Sequence, residues 1–312
     1  MKTFIRPDYL QSGDKIAIVA PAKRILPHEL DEEIELIQSW GLEVVLGKNL
    51  YHSHYFGYAY AGTLEDRLAD FQQALDNPSV KAIWCARGGY GAIQLIDELD
   101  FGAFMQHPKW IIGYSDITVF HAKLHQLGYQ SIHGVVVKKL NLPYHPESYR
   151  SVKQLLFNQS FTYDIPLHPL NKTGQAEGIL IGGNLSIVYS LLGSQTSINP
   201  NDKILFLEDW YENWYHVDRM MTSLKRAEIL PKINGLILGS FTFMDVEEEN
   251  TAHYTNPFDP TTYQIIHHHL APYNIPVCFQ FPAGHTGHNI AMKFGEKVKL
   301  SIQSNSVTLQ YI

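Results

Sequence analysis

The first half of the chain repeats one pattern, in which a short, continuously apolar run is followed by a segment with helical spacing. Residues 15–20 are the first apolar run, and residues 31–41 are the helical segment after it, closed by a glycine. Runs without polar alternation are typical of parallel strands, because helices cover both faces of a parallel sheet. Further strands are predicted at 43–46, 80–85 and 110–114, and further helices at 65–76, 92–99 and 117–127. The sequence therefore predicts an N-terminal α/β domain with a doubly wound, mostly parallel sheet.

The pattern loosens between residues 141 and 174, where four prolines flank one isolated helical stretch. Prolines without apolar alternation are typical of a connection between domains. Beyond it, strands are predicted at 176–181, 203–207, 236–238, 276–279, 297–302 and 306–311, and helices at 185–192, 217–227 and 263–270. We predict an N-terminal domain at 1–150, a junction at 151–174 and a C-terminal, β-rich α/β domain at 175–312.

Charge and cysteine content narrow the possible partners and the compartment. The formal net charge is -7, from 24 Lys and Arg against 31 Asp and Glu, and no basic stripe with interleaved aromatic residues supplies a phosphate-binding surface. Cys85 and Cys278 both lie in apolar strand-like runs, which suits reduced, buried thiols. Residues 1–10 lack the apolar core of a signal peptide, and no later segment approaches a membrane-spanning length. We expect a cytoplasmic protein without nucleic-acid or membrane partners.

Ser115 follows the strand at 110–114 and directly precedes a helix, so its hydroxyl is expected on a tight turn at the carboxyl edge of the sheet. This is the geometry of a nucleophile elbow, in which the free N–H of Asp116 can stabilise an oxyanion. An ordinary N-cap explains the same serine, and Ile117 replaces the second glycine of the G-x-S-x-G pattern. These residues alone favour the cap.

A second glycine-rich turn, residues 87–91 (RGGYG), also joins a buried strand to a predicted helix. Its backbone N–H groups could complete an oxyanion hole, cradle a phosphate or only form a tight turn. Arg87 could form an ion pair within the fold or bind a substrate carboxylate, and the two interpretations have equal weight.

Carboxylates and histidines follow strands of the second half. Glu208 and Asp209 end a predicted apolar strand, where Glu208 could orient a histidine or where both could simply be solvated. His285 and His288 lie in a glycine-rich loop after another strand, so one of them could be a general base, or the two could ligate a metal. The chain has no H-E-x-x-H motif, and Cys85 inside its strand is better explained as packing than as a nucleophile.

Six segments lie in a fixed order across nearly the whole chain: GDKIAIVAPA, CARGGYGAIQLID, IIGYSDIT, GILIGGNLS, ILFLEDWYENWYHVDRMMTSL and FPAGHTGH. Together they resemble the LD-carboxypeptidases, the muramoyltetrapeptide carboxypeptidase family of serine peptidases. The resemblance implies two domains with the active site in the groove between them, a homodimer, and no cofactor or metal. The matching positions are Ser115, Glu208 and His285 for a catalytic triad, and the N–H groups of Asp116 and of Gly89 or Gly88 for an oxyanion hole.

The activity implied by the resemblance is hydrolysis of the bond between the L-centre of a diamino acid and the terminal D-Ala of cytoplasmic peptidoglycan tetrapeptides, a recycling reaction. Arg87 and Asn184 are candidates to bind the substrate carboxylate. Some relatives instead cleave a peptide-nucleotide antibiotic and confer self-immunity, and a non-catalytic muropeptide binder is a further alternative. Segments 210–216 and 243–259 depart from the expected pattern and could reshape substrate contacts.

Overall fold

Two six-stranded sheets form the frame of the computed structural model, which describes residues 4–139, 145–159, 161–245 and 256–312. The first half contains β1 (Lys15–Val19), α1 (Asp31–Ser39), β2 (Glu43–Leu46), β3 (His54–Tyr55), β4 (Ala59–Tyr60), α2 (Leu64–Asp76), β5 (Val80–Cys85), α3 (Gly102–Gln106), β6 (Trp110–Gly113), α4 (Thr118–Leu127), β7 (Ser131–His133) and α5 (Glu147–Leu156). The second half contains β8 (Gly174–Asn184), α6 (Leu185–Ser190), β9 (Lys203–Trp210), α7 (Trp214–Arg226), β10 (Gly235–Thr242), α8 (Pro260–Leu270), β11 (Val277–Cys278), β12 (Met292–Phe294), β13 (Lys297–Ile302) and β14 (Val307–Tyr311). Short 3-10 helices lie at Pro27–Leu30, Ala92–Gln94, Ser115–Ile117 and Leu230–Lys232.

The first sheet has the strand order β12-β7-β6-β5-β1-β2. Its strands β1, β2, β5, β6 and β7 are parallel, and β12 pairs antiparallel with β7. Both faces of the central strands are buried, because Trp84 and Trp110 pack into one core while Ile83 and Ile111 pack into another. Two-sided burial is the reason that these strands read as continuous apolar runs, and the predicted doubly wound parallel sheet is confirmed.

The second sheet has the order β11-β10-β9-β8-β13-β14. Strands β8 to β11 are parallel, whereas β13 and β14 form an antiparallel edge. Buried and half-exposed residues alternate along β13, as expected where one face of an antiparallel sheet meets solvent. The predicted β-rich α/β fold of the second half is therefore confirmed.

The two halves of the chain are joined by more than their covalent connection. Helix α5 buries Tyr149 and Val152 in the core of the first sheet, and the chain returns to that sheet at β12. The ring of His133 on β7 lies 5.0 Å from the ring of Phe206 on β9 and 5.1 Å from that of Phe294 on β12. This packing holds the carboxyl ends of both parallel sheets along one groove. The domain limits of 1–150, 151–174 and 175–312 stay a prediction.

The helix predicted at 92–99 is wrong beyond its first turn. A 3-10 helix covers only Ala92–Gln94, and the N–H groups of residues 94, 95 and 98 each bond the carbonyl three residues earlier. Leu95, Ile96 and Leu99 are nevertheless buried. Their spacing suits a helix, but tight consecutive turns also place them in the core, so apolar periodicity could not separate the two structures.

Two expectations from composition can be compared with the structure. Cys85 and Cys278 are both buried and free, as predicted. Across the described residues, no helix combines the length and apolarity needed to cross a membrane.

Of the divergent segment 243–259, residues 246–255 lie outside the described part of the chain.

Candidate active site

Ser115 lies on a sharp turn directly after β6. Tyr114 is extended, Ser115 has a φ of 63°, and the 3-10 turn Ser115–Ile117 then leads into α4. A left-handed backbone at a non-glycine residue is uncommon and concentrates at functional sites. The N-cap positions of the 3-10 helix and of α4 are Tyr114 and Ile117, so Ser115 is not the ordinary helix cap that was the alternative. Gly113 permits the turn, because a Cβ there would lie 2.8 Å from the side chain of Ile117.

Glu208 and His285 form a buried pair across the second sheet. Glu208 is fully buried in β9, and its Oε2 lies 2.7 Å from Nδ1 of His285. The same oxygen accepts the backbone N–H of His285 at 3.2 Å. Gly284 makes the approach possible, because a Cβ on it would lie 2.9 Å from Glu208 Oε2. A carboxylate on Nδ1 holds the proton there and leaves Nε2 free to accept another one.

Further contacts orient the imidazole of His285. The hydroxyl of Thr242 donates to the His285 carbonyl at 2.8 Å. The ring of Trp210 stacks on the imidazole at 5.3 Å between centroids, and Tyr114, the neighbour of Ser115, lies at 4.8 Å. His285 is thus fixed by packing and by hydrogen bonds from two strands of the second sheet.

One cavity of about 230 Å³ opens between the two halves of the molecule. Of the residues predicted from sequence, it is lined by Arg87, Gly88, Gly89, Ser115, Asp116, Asn184 and His285. Glu208 is not among its lining residues and contacts His285 from within the second sheet. The fold therefore brings serine, imidazole and carboxylate to one place from three distant parts of the chain, in the predicted groove.

The glycines of the 87–91 turn lie against the serine. A Cβ on Gly88 would be 3.1 Å from the Cβ of Ser115 and 3.3 Å from its Oγ. Gly89 has a φ of 115°, and a Cβ there would lie 2.3 Å from the hydroxyl of Tyr58 and 2.8 Å from the Cβ of Lys23. Position 89 therefore needs glycine, whereas a Cβ on Gly88 would press against the side chain of Ser115.

The side-chain carboxyl group of Asp116 connects the turn at Ser115 to the glycine-rich turn at 87–91. Its Oδ2 accepts the N–H of Ala92, at the end of the glycine turn, at 2.8 Å. Burial raises the pKa of this carboxyl to about 7, although the Ala92 hydrogen bond and the charge of Arg67 act in the opposite direction. The side chain of Asp116 thus has a structural task that is separate from its backbone N–H.

Asn184 and Arg87 differ in how much of their hydrogen-bonding capacity is free. The Asn184 side chain donates to Asp209 at 2.8 Å and accepts from Ser186 Oγ and Ile187 N–H, which caps α6. Arg87 donates to the carbonyl of Arg24 at 3.4 Å and, in the described part of the chain, has no carboxylate within ion-pair distance. The intramolecular salt bridge considered for Arg87 is therefore not formed among these residues.

Several residues of the cavity wall were not predicted from the sequence. Tyr58 lies far from any motif, Lys23 directly follows the segment GDKIAIVAPA, and Trp210 lies in the segment 210–216 that was noted as divergent. Asp209 is fully buried rather than solvated; burial, reinforced by the nearby carboxylates of Glu212 and Glu208, raises its pKa well above the usual range. Trp210 directly follows Glu208 and Asp209 in the sequence. This position is the one sequence signal that could have placed Trp210 at the cavity.

Two alternative chemistries receive no support from this geometry. His288 lies outside the cavity and contacts Glu147 at 3.1 Å, whereas His285 is engaged by Glu208, so the two histidines do not share a site. Cys85 is fully buried, and burial raises the pKa of its thiol strongly, so thiolate is disfavoured there.

Both halves of the chain are similar to proteins of a known family. The N-terminal domain model of the LD-carboxypeptidases matches residues 16–134, and their C-terminal domain model matches residues 177–300. The "Probable murein peptide carboxypeptidase" of Bacillus subtilis is 33% identical, with 98% of this chain and 94% of the relative covered. The "Murein tetrapeptide carboxypeptidase" of Pseudomonas aeruginosa is 31% identical, with 92% of each chain covered.

Further similarities extend over almost the whole length. The microcin C7 self-immunity protein MccF of Escherichia coli is 27% identical, with 97% of this chain and 95% of the relative covered. The crystal structure of the muramoyltetrapeptide carboxypeptidase from Oxalobacter formigenes matches with a TM-score of 0.79 and 26% identity, covering 95% of this chain and 98% of the other. The resemblance inferred from six short segments is confirmed, and the chain belongs to the LD-carboxypeptidase family of serine peptidases.

Proposed function

We propose that this protein is a murein tetrapeptide carboxypeptidase that uses Ser115, His285 and Glu208 to release the terminal D-Ala. The proposal rests on one observation: Ser115 and His285 line the same cavity, and His285 is hydrogen-bonded to Glu208. The relatives named as murein peptide carboxypeptidases supply the substrate class. Cleavage at the L,D bond would fit peptides released during peptidoglycan recycling.

In the proposed mechanism, Nε2 of His285 takes the proton from Ser115 as its Oγ attacks the carbonyl before D-Ala. The ionised Glu208 stabilises the imidazolium that forms. The oxyanion would accept hydrogen bonds from the N–H of Asp116 and from that of Gly89 or Gly88. The imidazolium then protonates the D-Ala amine as the C–N bond breaks, and a water activated by the same imidazole hydrolyses the acyl-enzyme.

The positive charge at one end of the cavity suits a substrate carboxylate. Lys23 and Arg87 both line the cavity, and burial together with the charges of Arg87, Lys138 and Arg24 lowers the pKa of Lys23. Lys138 pairs with Glu29, so Lys23, Arg24 and Arg87 supply the local attraction for an anionic group. Because Asn184 already caps α6, Arg87 is the better candidate to bind the D-Ala carboxylate.

The test is D-Ala release from purified muropeptide tetrapeptide by wild type, Ser115→Ala and a control, Ser39→Ala, whose serine is exposed in α1. Wild type and the control should release D-Ala, and Ser115→Ala should lose several orders of magnitude in kcat. Turnover by Ser115→Ala near the wild-type rate would refute Ser115 as the nucleophile. EDTA in a parallel reaction separates this mechanism from metal-dependent hydrolysis.

A second candidate is hydrolysis of a peptide-nucleotide conjugate, as in self-immunity. It is favoured by similarity to MccF and by Trp210, which is 45% exposed at the cavity and offers a face on which a base could stack. Turnover of such a conjugate without D-Ala release from the tetrapeptide would select this function. Tight muropeptide binding without turnover of either substrate would select the non-catalytic binder.

We also propose a cytoplasmic homodimer. Two free, buried cysteines suit a reducing compartment, and the family resemblance suggests the dimer. Light scattering of the purified protein measures the assembly, and immunoblotting of cell fractions measures the compartment. A monomer at micromolar concentration, or recovery outside the cytoplasmic fraction, would contradict the respective half of this proposal.

A further inference from the structure

A cluster of metal-ligating side chains lies outside the active-site cavity. His145, Glu147 and His288 each offer a ligand atom, and these atoms all lie within 4.8 Å of one another. Oε2 of Glu147 is 3.1 Å from Nε2 of His288 and 3.9 Å from Nδ1 of His145. The two imidazole rings are 4.6 Å apart between centroids. Two neighbouring residues at the start of α5 and one residue from a distant loop thus bring two imidazoles and one carboxylate together.

The separations fit a tetrahedral metal centre. With metal–nitrogen and metal–oxygen distances of about 2.0–2.2 Å, neighbouring ligand atoms of a tetrahedron lie about 3.3 Å apart. The observed 3.1 Å and 3.9 Å lie on either side of that value, and the separation between the two imidazole nitrogens is at most 4.8 Å, so side-chain rotations that bring the imidazoles closer together would close the site. Two imidazoles with one carboxylate favour a borderline cation such as Zn²⁺ over Mg²⁺ or Ca²⁺, which prefer oxygen ligands.

The backbone beneath the cluster is already held together. The N–H of His145 donates to the carbonyl of Gly287 at 2.9 Å, and the hydroxyl of Ser148 donates to the same carbonyl at 3.1 Å. The N–H of Asn289 in turn donates to Ser148 Oγ at 3.0 Å. These bonds fix the start of α5 against the loop, so little backbone movement is needed to assemble the ligands.

The three side chains remain accessible to an ion. Their exposed fractions are 53% for His145, 51% for Glu147 and 39% for His288. An ion could enter from solvent, and a water molecule could occupy a fourth position. Two features oppose binding: the weak contact of His145 Nδ1 with the Glu147 N–H at 3.4 Å would have to break, and the N-terminus of α5 repels cations. We therefore expect micromolar rather than nanomolar affinity.

We propose that His145, Glu147 and His288 bind one Zn²⁺-class cation that fastens the loop at 284–289 to the start of α5. His288 is three residues from His285, and Gly284 N–H is bonded to Asn289 Oδ1 at 3.1 Å within the same loop. The ion would restrict the segment that carries the imidazole of the active site.

The experiment is calorimetric titration of the metal-free protein with ZnCl₂ at neutral pH, without substrate. Wild type should bind one Zn²⁺ per chain, and Mg²⁺ should give no binding. The variants His145→Ala, Glu147→Gln and His288→Ala should each weaken Zn²⁺ binding at least about tenfold. The matched control is His28→Ala, which removes another exposed histidine, in the Pro27–Leu30 turn, and should bind as wild type.

Thermal unfolding supplies the second measurement. Zn²⁺ should raise the Tm of wild type and of His28→Ala and should leave the Tm of His288→Ala unchanged, because binding to the native state alone stabilises it. Failure of wild type to bind Zn²⁺, or equal weakening by His28→Ala and the cluster variants, would overturn the proposal. The readout is metal binding itself, so its failure is distinguishable from a failure of the proposed peptidase activity.

Discussion

Replacing Glu208 by Gln removes a charge from the proposed active site while preserving the size of the side chain. In wild type, Oε2 of Glu208 accepts both the Nδ1 proton and the backbone N–H of His285. The amide oxygen of Gln can occupy the same position, so the orientation of the imidazole should survive. What is lost is attraction between the carboxylate and the imidazolium that forms as Ser115 gives up its proton.

The size of that loss follows from the geometry. With 2.7 Å between Nδ1 and Oε2, the centres of the two delocalised charges are about 4 Å apart, which corresponds to about 4 kcal/mol at an effective dielectric constant of about 20. Since each 1.36 kcal/mol is a factor of ten, kcat should fall about 10³-fold. KM should change little, because Glu208 does not line the cavity.

The assay is D-Ala release from the tetrapeptide with full determination of kcat and KM. Glu212→Gln is the matched control, because Glu212 lies four residues away and pairs with His216 on α7. Urea unfolding checks that Glu208→Gln and Glu212→Gln are folded under the assay conditions. A kcat for Glu208→Gln within tenfold of wild type, or an equal loss in Glu212→Gln, would refute the reasoning.

Three further predictions concern stability and are tested by urea unfolding. Because burial raises the pKa of Asp116 to about 7 in the folded protein, its contribution to the free energy of unfolding falls as pH rises from about 4 to 7. Asp116→Asn should lose this pH dependence and be up to about 4 kcal/mol more stable than wild type at pH 7, whereas parallel curves of unfolding free energy against pH for the two proteins would contradict this. Gly89→Ala places a Cβ 2.3 Å from the Tyr58 hydroxyl at a φ of 115° and should cost about 2–3 kcal/mol, whereas Gly57→Ala, with a φ of 68° and no atom within 4 Å, should cost about 1 kcal/mol. Lys109→Met removes a buried ammonium that donates to three carbonyls at the end of α2 and should cost about 2–4 kcal/mol; a loss below 1 kcal/mol would mean that these carbonyls find other partners.

Most strands of the two sheets could be predicted from local sequence because burial dictates their composition. Residues 43–46, 80–85 and 297–302 match β2, β5 and β13. Prediction failed where tertiary contacts decide the local structure. The 92–99 segment forms successive turns, and β7 and β12 were missed because each has only three residues and is defined by pairing with strands distant in sequence.

Part of the proposed active site could also be predicted from local sequence. Parallel strands end at one edge, so Ser115 and Glu208 were recognisable as candidates at strand ends, and the family resemblance then selected Ser115, Glu208 and His285. Local sequence could not show that Trp210 stacks on His285, or that Tyr58 meets Gly89. Those contacts join segments that are distant along the chain.

The sequence by itself determined the two α/β halves and the glycine turns at the ends of strands, because each depends on the hydrophobic period and on the steric freedom of a few neighbouring residues. The candidate nucleophile was selected by the family resemblance. Only the tertiary structure decided that the His285–Glu208 pair shares a groove with Ser115, that Asp116 links the two turns, and that His145 approaches Glu147 and His288. These depend on how two sheets pack against each other. That geometry arises from the sum of many buried contacts, and no local pattern in the sequence encodes it.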